Sequence, residues 1–207
     1  MTRAKPRNRE EPSRHARLNL DRGAALRIAA GFAAGLAFWF AFSAPYERLL
    51  AAAAGGLIDA LESPAVTRLR ASGGEIRVDR TDFPPASPRP GLPASDLHFN
   101  FVLLAALFAL GRHPLSPRPF GRFWIAAALL FAIHVIALVF QVEGLYATRL
   151  GDWSGAHYGA LARNFWAGGF HFYLVAGRFA APFVLWWALG REGEETSQPL
   201  RPRSRRR

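Results

Sequence analysis

Between Arg122 and Glu143 the chain runs for twenty residues without a charge, and His134 and Gln141 are the main polar interruptions. A helix of that length spans ~30 Å of hydrocarbon, where backbone polar groups must be satisfied within the segment. Three other runs share the character. The first, 24–44, has Arg27 near its start and an aromatic cluster at Phe38, Trp39, Phe40 and Phe42. The second, 97–111, is short and takes Asp96 and Arg112 as interfacial ends. The fourth is 170–189, after the cleanest one at 123–142. These runs predict an all-α membrane protein, a four-transmembrane-helix bundle over 24–190. Ala41 and Ser43 offer the small residues of a signal-peptide cleavage site. The charged stretch ahead of the first run is too long for that reading, and no clean A-x-A follows.

Charge placement separates a membrane protein from a nucleic-acid binder. The net charge is +11 over 207 residues. A nucleic-acid module interleaves basic residues with its core, whereas here the arginines gather between the runs. The N-terminal segment through Arg27 holds eight basic residues, the 112–122 loop three, and the tail from Arg191 six. Segment 46–97 balances six arginines against seven acids, and 143–169 has only Arg149 and Arg163. Basic and balanced segments alternate, so the positive-inside rule places both termini in the cytoplasm. Abundant Ala, Arg, Gly and Pro with a single Lys match usage in GC-rich bacteria, hence an inner-membrane location. Residues 1–23 and 191–207 are polar, basic and expected to be disordered. No nucleic-acid partner is expected, and the lipid bilayer is the first partner.

Segment 46–96 reads as a periplasmic insertion. Pro45 is expected to end or kink the first helix. Leu49, Leu50, Ala53, Leu57, Ile58 and Leu61 then recur at helical spacing, an amphipathic helix on the membrane face or the bundle. Alternation over Glu75–Arg80 suggests a strand in a hairpin with Val66–Leu69. Prolines 84, 85, 88, 90 and 93 make the remainder an extended loop.

Polar side chains inside the runs are expensive and point to function. They are His98 and Asn100 in the second, His134 in the third, and His171 and Arg178 in the fourth. Counting ~1.5 Å per residue puts His134 and Arg178 at matching depth, about 12 Å below the outer face. The other three lie nearer that face, so all five fall in the outer half. Asn100 and His134 could serve as glue between helices, and His98 and His171 could simply be interfacial. Arg178 is always charged, and no acid lies at its depth. Gly31 and Gly35 form a G-x-x-x-G, which permits close helix packing. With no cysteine, disulfides, thiolate metal sites and a cysteine nucleophile are excluded. Three histidines could bind zinc, but no H-x-x-x-H spacing occurs. No catalytic residue or metal ligand is assigned.

The order of these features resembles the exosortase and archaeosortase family, polytopic transpeptidases that process C-terminal sorting signals at the outer membrane face. His98-Phe99-Asn100-Phe101-Val102-Leu103-Leu104 stands at the place of the family cysteine. Ile133-His134-Val135-Ile136-Ala137-Leu138 stands where the arginine motif would be, and Phe170-His171-Phe172-Tyr173 opens the final helix as the family histidine does. Only His171 matches a catalytic position; the cysteine is missing, and the arginine is Arg178 in another span. Over residues 25–190 the chain is more similar to small non-catalytic partners in such systems, like the exosortase H-associated membrane protein. The resemblance implies a non-enzymatic partner of another membrane protein, an exosortase, in protein sorting or envelope biogenesis.

Two alternatives stand beside it. One is a membrane enzyme using His98, His134 and His171, with Arg178 holding an anionic group. The other is a four-helix cytochrome with haem between His98 and His171. Reporter fusions test the topology. Alkaline phosphatase joined after residue 90 should be active, and joined after residue 190 inactive; the opposite pattern overturns the orientation.

Overall fold

The computed structural model describes residues 22–190 apart from Pro88 and Arg112. Of the basic ends expected to be disordered, residues 1–21 and 191–207 lie outside the described residues, as does Arg112 of the basic loop, while Arg22 and Gly23 begin the first helix. Helix α1 runs from Arg22 to Leu61, 40 residues, and α4 from Pro117 to Arg149, 33 residues. A third long helical segment of 31 residues covers Ala160–Gly190. It comprises α6 (Ala160–Phe172), a π-helical turn (Tyr173–Gly177) and α7 (Arg178–Gly190). These three are long and apolar enough to cross a membrane. A shorter apolar helical stretch, Ser95–Phe108, comprises α2 (Ser95–His98) and α3 (Asn100–Phe108). At ~1.5 Å per residue it falls short of the hydrocarbon thickness by itself.

Of the two outcomes expected at Pro45, an end or a kink, the first helix does not end there but continues to Leu61. An interior proline costs ~3 kcal/mol, for a lost hydrogen bond and a clash with the preceding turn. Continuation fully buries Leu50 and Ile58, worth ~1.5–3 kcal/mol each, so packing offsets the proline. The amphipathic pattern beyond Pro45 is therefore the upper half of one helix with a contour length of ~60 Å.

That upper half is covered by a three-stranded antiparallel sheet in the order β1 (Thr67–Ser72), β2 (Glu75–Arg80), β3 (Gly91–Pro93). Gly73 and Gly74, at φ 64° and 81°, make the β1–β2 turn, a two-residue loop that requires left-handed backbone at both positions. Alternation on β2 turns Ile76 and Val78 inward, into a core with Leu50, Ala54, Ile58, Val142 and Tyr146. Strand β3, in a stretch expected to be loop, pairs Ile76 with Leu92. It lies at the sheet edge, where Pro93 needs no ladder donor. The Arg80 guanidinium sits 4.7 Å from the Trp153 ring centroid and 4.8 Å from that of Tyr146, and reaches Glu62 at 3.3 Å and Asp82 at 2.9 Å. It thus joins the sheet to the ends of α1 and α4 and to α5 (Asp152–His157). The hydrogen bond from Arg80 holds the Asp82 carboxyl below the usual carboxylate range.

Helix α3 descends against the lower half of α1. A Cβ on Gly35 would stand 2.9 Å from Ala105 Cβ and 3.3 Å from the Val102 backbone, and one on Gly31 would collide with Ala109. Gly35→Leu should therefore destabilise the protein by about 1–3 kcal/mol through overpacking. Gly56→Ala, with no atom within 4 Å of its Cβ, should be neutral or stabilising by up to ~1 kcal/mol. Thermal unfolding in detergent followed by circular dichroism reads both.

Candidate functional site

One carbonyl organises the polar residues. In α7 the carbonyl of Arg178 would ordinarily accept the N–H four residues on, but that residue is Pro182, which has none. Asn100, at the start of α3, takes the place with Nδ2 donating to Arg178 O at 2.9 Å. Because a carbonyl only accepts, this fixes the amide orientation. Asn100 Oδ1 is then the acceptor for His134 Nε2 at 2.8 Å. A neutral imidazole with its proton on Nε2 accepts at Nδ1, where the Tyr46 hydroxyl donates at 2.5 Å. The result is a directed chain, Tyr46 to His134 to Asn100 to the Arg178 carbonyl, joining α1, α4, α3 and α7. His134 is fully buried and Asn100 is buried. Beside the chain, Tyr173 in the π-helical turn donates to Leu97 O at 2.6 Å.

His98 forms a second, separate arrangement. The indole of Trp39, a donor only, gives its N–H to His98 Nδ1 at 2.8 Å, so the imidazole proton resides on Nε2. That nitrogen faces Glu47 Oε1 at 3.4 Å, too far for a well-formed hydrogen bond, and it has no other partner among the described residues. Both side chains are buried, His98 at 2% exposure and Glu47 at 7%. Glu47 belongs to the inward stripe of α1 with Leu50, Ala51, Ala54 and Ile58.

Of the five polar residues singled out in the sequence, three come together. His134 and Asn100 share the chain, and His98 packs beside them, its ring 5.3 Å from that of Tyr46. Arg178 joins through its backbone; its guanidinium lies over the Phe179 ring at 5.2 Å and forms no ion pair among the described residues. His171 lies apart, exposed on α6 with Nδ1 bonded to its own helix at Ala167 O, 2.7 Å. A haem held between His98 and His171 does not fit this arrangement, since the first is buried against Trp39 and the second points outward. Among the described residues no three His, Asp or Glu side chains gather where they could hold a metal ion. Trp39, Tyr46, Glu47 and Tyr173 were not picked out from sequence as members of the polar site. Pro182 at four residues past Arg178 marks the free carbonyl, and Glu47 on an apolar helical stripe marks the buried acid.

Chemically, the chain fastens rather than conducts. An amide and a peptide carbonyl at its far end neither take up nor release a proton near neutrality, so a proton cannot pass beyond His134. No known protein family, curated protein or solved structure matches the chain.

The fastener makes a coupled prediction. Asn100→Ala leaves the Arg178 carbonyl and His134 Nε2 without these partners and should cost about 1–3 kcal/mol. Pro182→Ala restores a backbone donor to that carbonyl. In the Pro182→Ala background the Asn100→Ala penalty should shrink by about 1 kcal/mol; equal penalties in both backgrounds would show that the carbonyl is not the anchor.

Proposed function

We propose that this is a non-enzymatic inner-membrane protein that assembles with a partner membrane protein, in exosortase-type protein sorting or envelope biogenesis. In this reading α2–α3 forms a fourth, short span beside the three long helices. The arginine-rich ends face the cytoplasm and the sheet faces the periplasm. The observation that carries it is the hydrogen-bond chain, in which Asn100 and His134 spend their polar atoms on neighbouring helices. A membrane catalyst keeps donors and a nucleophile turned toward substrate, whereas these residues are turned toward each other. The Arg178 guanidinium, with no acid partner among the described residues, supports the presence of a partner, because an intramembrane charge is stabilised by pairing.

One observation favours an enzyme instead. Tyr46 donates to His134 Nδ1, and Asn100 holds the far side of that imidazole. A hydroxyl, a base and an orienting group in this order resemble an activated nucleophile. Tyr46→Phe separates the readings.

Purification of the tagged full chain from its own membranes in mild detergent should yield a stoichiometric membrane partner, and Arg178→Gln should reduce that recovery by about tenfold. Tyr46→Phe should lower thermal stability modestly and leave recovery unchanged. A chain that always emerges alone refutes the partner. Full stability and full recovery with Tyr46→Phe, but loss of the sorting or envelope phenotype, would favour the enzyme.

A further inference from the structure

Two cavities adjoin along α1. The first, about 250 Å³, lies between α1, α3 and α4; its walls include Phe38, Phe42, Phe101, Trp124 and Phe131, with Ala127 and Ala128 along α4. The second, about 190 Å³, lies between α1 and the tip of the β1–β2 hairpin, and is lined by Glu47, Arg48 and residues 71–74. Ser43 lines both. His98 belongs to the wall of the first and Glu47 to that of the second, and they face each other at 3.4 Å across the divide. A hydrocarbon chamber therefore opens beside a polar one, at the point where Glu47 and Arg48 interrupt the apolar run of α1.

We propose that the two cavities form one phospholipid site, with an acyl chain in the aromatic chamber and the phosphate beside Arg48. Three observations select this occupant. Phe42, Leu49 and Trp124, at the margin of the first chamber, are 45–59% exposed on helices apolar enough to cross a membrane, so the chamber is open to hydrocarbon from the side. Its volume suits a slender chain; a helix with side chains is ~10–12 Å across, and one turn of it exceeds the space. Arg48 is exposed and makes no ion pair among the described residues. The neighbouring Glu47 is turned inward to His98, so the outward charge of the polar chamber is cationic. An amphiphile with an anionic head matches both chambers at once, as a chain in hydrocarbon with a charge at the interface.

Native mass spectrometry of the full-length protein in detergent, titrated with dioleoyl phosphatidylglycerol or with dioleoylglycerol, tests the site. The expected result is one saturable lipid per chain, with the phosphate-bearing lipid bound more tightly. Ala128→Trp, which fills the aromatic chamber, should weaken both lipids by about tenfold or more. Arg48→Gln should weaken phosphatidylglycerol alone by about tenfold. Leu129→Trp, on an exposed position of the same helix, should change neither. Should Ala128→Trp fail to fold, Ala127→Val gives a smaller filling read by the same titration. Non-saturable adducts, or binding that Ala128→Trp and Ala127→Val leave intact, overturn the proposal. So does a stoichiometric polypeptide in place of lipid in protein taken from its native membrane and lost with Ala128→Trp.

Discussion

Much of this structure hangs on a backbone oxygen that its own helix cannot satisfy. Pro182 removes the donor for the Arg178 carbonyl, and in a low-dielectric surrounding an unmet carbonyl costs several kcal/mol. Asn100 answers it, His134 answers Asn100, and Tyr46 answers His134. Each bond is worth ~1 kcal/mol or less within a membrane, so their sum does not hold the helices together. Their effect is on register: four helices can satisfy that oxygen and its successors at one relative height only. Packing from Gly31 and Gly35 against α3 then operates within the height so chosen.

The same height dictates the architecture above. Helix α3 begins level with His134, near the middle of α4, so no fourth helix accompanies the upper halves of α1 and α4. The sheet fills that room, and β3 delivers the chain directly into α2. This explains why the apolar run of α4 outlasts its neighbour α3. Ala137, Leu138, Val139 and Val142 are buried, three of them at 3% exposure or less, within the core that the sheet helps to close. Two different solvents, lipid lower down and protein interior higher up, select the same residue types. Hydropathy therefore reads the length of the run and not where one solvent gives way to the other.

The long helices were legible because apolar runs of that length have few other uses, and β2 because Ile76 and Val78 alternate with charged neighbours. Pro45 misled, since local propensity favours a break there while the cost of continuing is recovered far away, at Leu50 and Ile58. Edge strand β3 was hidden behind the prolines that an edge tolerates. In the polar site, His134 and Asn100 stood out as side chains in hydrocarbon, but their partner is a main-chain atom, invisible to any search for polar residues. His171 was grouped with them because a helix position shows depth and not azimuth. The π-helical turn at Tyr173–Gly177 adds a residue to its helix and rotates α7 relative to α6, which no period-3.6 count anticipates.

Because α1 continues through Pro45, the sheet is mounted on the same helix that lies against α3 below. A helix ~60 Å along its contour that tilts as one body by about ten degrees carries its far end sideways by about 10 Å. Bilayer thickness is one of the forces that set helix tilt. The Arg80 clamp between sheet, α4 and α5 would resist such a swing or transmit it. One continuous helix couples a tilt at its lower end to the position of the sheet more directly than two helices separated by a break at Pro45 would.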